Sequence, residues 1–191
     1  MKVLVTGFGP FGDVAVNPSA AVAAKMPGLT PDHVNVVCET LPVEYAASTA
    51  RLDELIDAER PDAVVCLGVA ATRDEVSVER IARRVTRSQT PDNAGVVSSA
   101  AGHDGEPEEL PTTLPVDAIA ARGVSVSEDA GGYVCDHLFY RAVRTAAAAG
   151  VPFAGFVHIP LPQGGWTLES IGRRVAEVIE VVEESCGSSS E

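Results

Sequence analysis

The sequence has few cysteines and no long apolar run. Its four Cys residues lie outside any CxxC pair and outside zinc-finger spacing with His, so neither a disulfide scaffold nor a metal site is expected, and free thiols in a reducing compartment are predicted. No stretch approaches the roughly 20 apolar residues that a membrane span needs. The apolar start is interrupted at Thr6 and Gly7, unlike the core of a secretory signal. We therefore expect a cytoplasmic protein with no membrane partner.

Basic residues are also scarce, with 14 Lys and Arg against 27 Asp and Glu and a net charge of -13. This charge repels phosphate backbones and anionic lipids, so no nucleic acid partner is expected. Aromatic residues make up only 5%, and the apolar 46% is dominated by Ala and Val, a composition typical of helices packed on buried strands. The length of 191 residues predicts a single domain, residues 1–186, followed by a flexible tail, residues 187–191.

Short apolar runs alternate with amphipathic segments, which indicates an α/β domain with a mostly parallel twisted sheet. Strands are predicted at 2–6, 34–38, 62–67 and 154–159, with weaker candidates at 76–85 and 123–127. Helices are predicted at 18–26, 43–59, 133–149 and 167–184. The stretch 86–112 keeps no period, and such a long irregular segment is typical of a functional loop or a subunit contact.

A glycine-rich segment, GFGPFG, follows the first predicted strand and satisfies the letter of the dinucleotide-binding pattern GxGxxG. Pro10 removes one backbone donor, and the next helix begins only at Asn17-Pro18, too late to direct its N-terminus at a phosphate. Phe8 and Phe11 instead form an apolar surface suited to a flat uncharged ring. A tight turn with two Phe rings in the core is the simpler alternative, and nucleotide binding is the less favoured one.

Cys135 is the candidate nucleophile. The Gly-Gly pair before it places this thiol in the first turn of a predicted helix, where the helix dipole is expected to lower its pKa. The alternative is a buried cysteine that acts as a small apolar residue, which fits Cys38 and Cys66 on their strands.

A cysteine nucleophile needs a base and a group that orients it. His158 ends a predicted strand at the carboxyl edge of the sheet, where ligands bind in parallel sheets, so it is the candidate base. His33 precedes a strand, His103 lies in the irregular stretch, and His137 points to another side of its helix. Glu79 has apolar neighbours and an adjacent Arg, but the residues alone do not single it out as the orienting acid.

Several ordered blocks resemble the type I pyroglutamyl peptidases, the pyrrolidone-carboxylate peptidase family of cysteine exopeptidases. The blocks are TGFGPFG with NPS, VCLGVAATR leading to VERIA, PDNAG, TTLP, GGYVCDHLFY and FVHIP. The resemblance implies an α/β/α sandwich that removes N-terminal pyroglutamate from peptides with a Cys-His-Glu triad and without metal or cofactor. It also implies a homo-oligomer, a dimer or a tetramer.

The resemblance assigns roles to particular residues. It implies that Cys135 is the nucleophile, His158 the base and Glu79 the orienting acid. Phe8 and Phe11 would line the pocket for the lactam ring, and Val134 precedes the nucleophile at the same pocket. Backbone N–H groups at the start of the Cys135 helix would stabilise the oxyanion.

This chain departs from the family pattern near the expected pocket. The departures are Val43, Val69, Ala71, Thr72, Gln89 and Asp136, where the family usually has Thr, Gln, Gly, Gly, Arg and Asn. These changes keep the residues of the triad. They leave two alternatives to an ordinary pyroglutamyl peptidase: a member with altered selectivity, and a noncatalytic member that binds peptides.

Overall fold

A computed structural model describes residues 1–12, 14–97 and 100–188. Its eight strands are β1 (Lys2–Phe8), β2 (Asn35–Leu41), β3 (Ala63–Val69), β4 (Ser77–Glu79), β5 (Ile81–Arg83), β6 (Glu109–Pro111), β7 (Ser125–Ser127) and β8 (Phe153–Ile159). Its five α-helices are α1 (Pro18–Ala23), α2 (Tyr45–Glu59), α3 (Val116–Ala121), α4 (Val134–Ala149) and α5 (Leu168–Ser188). A short 3-10 helix, Met26–Gly28, follows α1.

Six strands form one sheet in the order β2-β1-β3-β8-β4-β7. All neighbours are parallel except β4 and β8, which are antiparallel, so the predicted mostly parallel sheet is confirmed. β5 and β6 pair separately as an antiparallel ribbon. Because β3 and β8 run in the same direction, their carboxyl ends lie at one edge of the sheet, where Gly68 is opposite His158.

Helices cover both faces of the large sheet, which makes a three-layer α/β/α sandwich. Alternate residues of β1 divide between two apolar cores: Val3 and Val5 pack with α1, α3 and α5, while Leu4 packs with α2 and α4. This division follows from the period of two in a strand with both faces buried. Among the described residues, no helix is both long and apolar enough to cross a membrane.

The predicted elements are found with shifted ends, and two predictions need correction. The run 76–85 is two strands in different sheets: the N–H of Arg80 is still donated to Ser127 O of β7, but from Ile81 onward the chain pairs with β6. The short helix α3 lies where no helix was predicted. At the end of the chain, α5 continues to Ser188, and residues 189–191 of the predicted tail lie outside the described residues.

Candidate active site

Backbone N–H groups of the glycine-rich loop after β1 hydrogen-bond to neighbouring segments and hold the loop in place. The N–H groups of Phe8, Gly9 and Phe11 are donated to Ser19 Oγ, Leu41 O and Val14 O, at 2.9, 2.8 and 3.2 Å. Pro10 has no N–H to offer. Every backbone donor between residues 8 and 11 is therefore committed within the protein, and none of these is free to bind a phosphate.

The irregular stretch after β5 supports this loop. Asn93 Nδ2 donates to Pro10 O at 3.0 Å, and Asn93 N donates to Val43 O at 3.0 Å. The neighbouring Asp92 accepts from Tyr45 N at 2.8 Å and so satisfies a donor at the start of α2. The PDNAG block thus has a structural role at the site, as a brace between the glycine-rich loop and α2.

The start of α4 presents Cys135. Gly131 and Gly132 have φ of 89° and 67°, a left-handed turn that other residues rarely adopt. The helix begins with the hydrogen bond from His137 N to Tyr133 O at 3.1 Å, so the N–H groups of residues 134–136 are not used within the helix. This geometry agrees with the predicted position of the nucleophile and leaves backbone donors beside it.

The thiol of Cys135 lies against the carboxyl end of β3. A Cβ atom at Gly68 would be 2.9 Å from Cys135 Sγ and 2.7 Å from Phe156 Cζ, so only glycine leaves room for the thiol there. Gly68 is opposite His158 in the β3–β8 ladder, and the ring of Phe156 packs on the imidazole at 4.8 Å between centroids. The fold therefore brings Cys135 and His158, 23 residues apart in the chain, to one place on the sheet.

The imidazole of His158 is hydrogen-bonded to Glu79. Nδ1 lies 2.7 Å from Glu79 Oε1, and the Glu79 side chain is completely buried. Burial opposes ionisation of Glu79, but the hydrogen bond and charge of His158, with hydrogen bonds from Ser127 and Arg73, hold its pKa below the usual value. Because Glu79 is ionised, Nδ1 carries the proton and Nε2 is the basic nitrogen of the neutral ring.

Arg73 completes this arrangement and was not singled out from the sequence. Its Nη1 donates to Glu79 Oε1 at 2.5 Å and to Ser77 Oγ at 2.9 Å, while Nη2 donates to Ser127 Oγ at 2.9 Å and to Asp129 O at 2.6 Å. One guanidinium therefore joins β4, β7 and the segment before α4 behind the acid. The sequence signal was the Arg that ends the VCLGVAATR block.

The expectation that the helix start lowers the pKa of Cys135 is wrong for the unliganded site. Burial, and after it the charges of Asp136 and Glu79, raise the pKa of this thiol to about 12. Asp136 is itself buried, which raises its own pKa to about 6. Its Oδ1 accepts from Arg83 N at 2.8 Å, and its Oδ2 has no hydrogen-bond partner among the described residues. Without substrate, the thiol keeps its proton, and a base is required to form the thiolate.

A cavity of about 370 Å³ opens in front of Cys135, and we call it the catalytic cavity. It is lined by Phe8, Phe11, Val14, Asn17, Pro18, Val43, Val69, Ala71, Tyr133, Val134, Cys135 and Leu161. All the aromatic and apolar residues predicted at the pocket are thus present. Three of the departures from the family pattern, Val43, Val69 and Ala71, also line it. None of the lining residues is charged within the described part of the chain.

Side chains that the sequence did not indicate shape this cavity. Tyr133 packs against Phe11 at 5.6 Å between ring centroids and donates its hydroxyl to Pro91 O at 2.9 Å. Asn17, the cap of α1, accepts through Oδ1 from Ser19 N and Ser19 Oγ and donates through Nδ2 to Gly9 O. Apart from Tyr133 and Cys135, Asn17 is the one polar residue in the described lining of the cavity, and its side chain is already hydrogen-bonded within the protein.

The other three histidines have surroundings different from those of His158. His33 is exposed and 2.6 Å from Glu183 on α5, and His103 lies exposed in the irregular stretch. His137 is buried, with its ring 5.1 Å from that of Tyr45. His158 is hydrogen-bonded to a fully buried carboxylate, whereas His33 faces a carboxylate that is partly exposed.

The chain is similar to known proteins along most of its length. Residues 1–171 match the pyroglutamyl peptidase family. The pyrrolidone-carboxylate peptidase of Gloeobacter violaceus is 39% identical over 171 residues, which cover 85% of this chain and 83% of that one. The corresponding enzyme of Thermococcus kodakarensis is 35% identical over 198 residues, covering 95% and 96%. A mutant pyrrolidone carboxyl peptidase from the hyperthermophile Pyrococcus furiosus has the same fold, with a TM-score of 0.87, 29% identity and coverage of 97% and 100%.

Proposed function

Because this chain belongs to the pyroglutamyl peptidase family, we propose that it removes the N-terminal pyroglutamyl residue from peptides with Cys135, His158 and Glu79 as its catalytic triad. The observation that carries the triad is the 2.7 Å hydrogen bond between His158 Nδ1 and the buried Glu79. It forms at the strand end where Cys135 Sγ packs against Gly68. A base held in one tautomer beside a partly exposed thiol supports nucleophilic catalysis by cysteine.

The reaction proceeds by acyl transfer. His158 Nε2 takes the proton of the thiol, and Cys135 Sγ attacks the carbonyl carbon that joins pyroglutamate to the next residue. Backbone N–H groups at the start of α4 stabilise the oxyanion. When the C–N bond breaks, the imidazolium gives its proton to the leaving amine, and a thioester remains. Water, deprotonated by His158, hydrolyses the thioester and releases pyroglutamic acid with the free thiol restored.

The lining of the catalytic cavity supports recognition of a neutral lactam ring. Phe8 and Phe11 pack against the apolar edges of the ring, and Val134 lies next to the nucleophile on the same wall. Pyroglutamate has no α-ammonium group, so a cavity without a charged lining suits it better than a peptide with a free amino terminus. Backbone groups then meet the lactam N–H and C=O, because Asn17 is already hydrogen-bonded.

The proposal extends to the setting of the enzyme. The four free thiols suit a reducing cytoplasm, where residues 1–186 act as one peptidase domain. Exposed Val14, Val16, Val96 and Val97 lie on loops beside the catalytic cavity and favour association of copies into a homo-oligomer. Light scattering tests this point, because a mass of one protomer at micromolar concentration would exclude stable association.

Hydrolysis of pyroglutamyl-aminomethylcoumarin tests the function. We expect release of coumarin from this compound but not from its prolyl or alanyl analogues. Cys135→Ala is expected to abolish release, while Cys186→Ala, which removes a thiol on α5, leaves it unchanged. No release by the folded wild-type protein would favour the noncatalytic alternative, and release by the Cys135→Ala variant would refute the assigned nucleophile.

A further inference from the structure

A second cavity, of about 320 Å³, adjoins the catalytic cavity. Leu161 lines both, so the two cavities share this side chain. The second cavity also contains Gln163 and Trp166 on one side and Arg73 and Asp74 on the other. We call it the downstream cavity. Unlike the catalytic cavity, it presents charged and amide groups together with an aromatic ring.

The walls of the downstream cavity are held in place by hydrogen bonds. Gln163 N donates to Leu161 O at 2.8 Å, and Trp166 N donates to Gln163 O at 3.0 Å, so the segment after β8 forms a tight turn. Gly164 and Gly165 have φ of 59° and 99°, which only glycine adopts without strain. Trp166 Nε1 donates to Asp74 O at 2.6 Å and so joins the two walls. The cavity is therefore formed before any ligand binds.

The chemistry of the proposed reaction determines where the leaving peptide must lie. His158 gives its proton to the leaving nitrogen, so the chain that follows the scissile bond begins beside this imidazole. The segment that forms one wall of the downstream cavity, 160–166, begins after Ile159, where β8 ends, two residues beyond His158. Leu161 belongs to this segment and lines both cavities, so a chain that leaves the catalytic cavity past Leu161 enters the downstream cavity.

We propose that the downstream cavity is a binding site for the peptide chain beyond the leaving residue, so that the enzyme selects pyroglutamyl peptides of three or more residues over dipeptides and amides. This inference rests on the proposed function. The amide of Gln163 hydrogen-bonds to the main chain of the substrate, and the ring of Trp166 packs against it. The carboxylate of Asp74 lies with this amide in the lining, which suits the polar main chain of a peptide better than an apolar group, while the guanidinium of Arg73 stays bound to its partners behind Glu79.

Kinetics with substrates of different length test the site. For the wild-type enzyme, kcat/KM is expected to be roughly tenfold higher for pyroglutamyl-Ala-Ala-Ala than for pyroglutamyl-Ala, which corresponds to about 1.4 kcal/mol. Gln163→Ala is expected to lower the ratio of kcat/KM between the tetrapeptide and the coumarin substrate about fivefold, or about 1 kcal/mol. The control Arg173→Ala changes an exposed side chain on α5 outside both cavities and leaves the ratio unchanged.

The single tryptophan of the chain provides a second measurement that needs no turnover. In the Cys135→Ala variant, pyroglutamyl-Ala-Ala-Ala is expected to change the fluorescence of Trp166, whereas pyroglutamyl amide, which ends at the catalytic cavity, is not. Equal kcat/KM for the dipeptide and the tetrapeptide, with no fluorescence change, would overturn the downstream site while leaving the peptidase function intact. Failure to cleave every pyroglutamyl substrate would overturn both.

Discussion

Glycine at position 68 is required for the nucleophile to approach the sheet, and Gly68→Ala tests this. The added Cβ would lie 2.9 Å from Cys135 Sγ and 2.7 Å from Phe156 Cζ, both shorter than ordinary contact at 3.4–4 Å. The thiol and the ring must therefore each retreat by about 0.5–0.7 Å. Phe156 is completely buried, so its ring has little free space into which it can retreat.

Two effects of different size follow from this displacement. Overpacking of the buried site costs about 1–3 kcal/mol of the free energy of unfolding. Misplacement of the reacting sulfur lowers kcat/KM by roughly 10- to 100-fold, since a shift of about 1 Å can cost about 100-fold. In the double variant Gly68→Ala with Phe156→Leu, loss of the ring end relieves the clash with Phe156 but not the clash with the thiol. We expect its activity to remain low.

Urea unfolding followed by circular dichroism and hydrolysis of pyroglutamyl-aminomethylcoumarin measure these two effects separately. Gly28→Ala is the matched control, because Gly28 lacks a positive φ and no heavy atom lies within 4 Å of the added Cβ. Its stability is expected to change by less than about 0.5 kcal/mol, with kcat/KM unchanged. Full activity in a stable Gly68→Ala protein would refute the placement of the thiol against β3.

Three further substitutions test the charges around the nucleophile. Burial raises the pKa of Asp136 to about 6, so its stabilising protonated form is lost as pH rises through 6. Asp136→Asn is therefore expected to raise the free energy of unfolding by roughly 1–3 kcal/mol at pH 8 and by little at pH 4. The same substitution is expected to speed alkylation of Cys135 by iodoacetamide, because it removes a charge that raises the pKa of the thiol. Equal stability gains at both pH values would contradict this. Arg73→Gln removes a hydrogen-bond donor that lowers the pKa of Glu79, so the acid limb of the profile of kcat/KM against pH is expected to move to higher pH. An acid limb that does not move would argue against a role of Arg73 in keeping Glu79 ionised. Glu79→Gln is expected to lower kcat roughly 1000-fold with the fold retained, because the uncharged amide no longer stabilises the imidazolium of His158; a loss below tenfold would exclude Glu79 as the orienting acid.

Much of the fold could be predicted from local pattern. The strands at 2–6, 34–38, 62–67 and 154–159 are apolar and β-branched, and buried parallel strands require such runs whatever their neighbours. The start of α1 was predicted from Asn17 and Pro18, and the cap contact is local: Asn17 Oδ1 accepts from Ser19 N. Short segments with a weak pattern were harder to predict. The run 76–85 is an example, because its two halves pair in different sheets and form the separate strands β4 and β5.

The electrostatic state of the site could not be predicted in the same way. The position of Cys135 at a helix start suggested a lowered pKa. Burial and the carboxylates of Asp136, which is adjacent in the chain, and Glu79, which is distant, instead raise the pKa of the thiol. Glu79 could not be preferred on the residues alone, because its partner His158 lies 79 positions away. Arg73 ends the VCLGVAATR block, but its role could not be predicted, since it depends on acceptors from β4, β7 and the segment after β7.

The sequence by itself determined the long strands, four of the five described helices, the reactive residue types and, through its ordered blocks, the family. These properties depend on neighbouring residues or on residue identity, so they can be read along the chain. Only the tertiary structure decided that the cysteine, the histidine and the buried acid meet at one sheet edge, and that a second cavity follows the first. Both depend on the register of β3 against β8 and on the antiparallel entry of β4, which are set by packing between segments far apart in the chain.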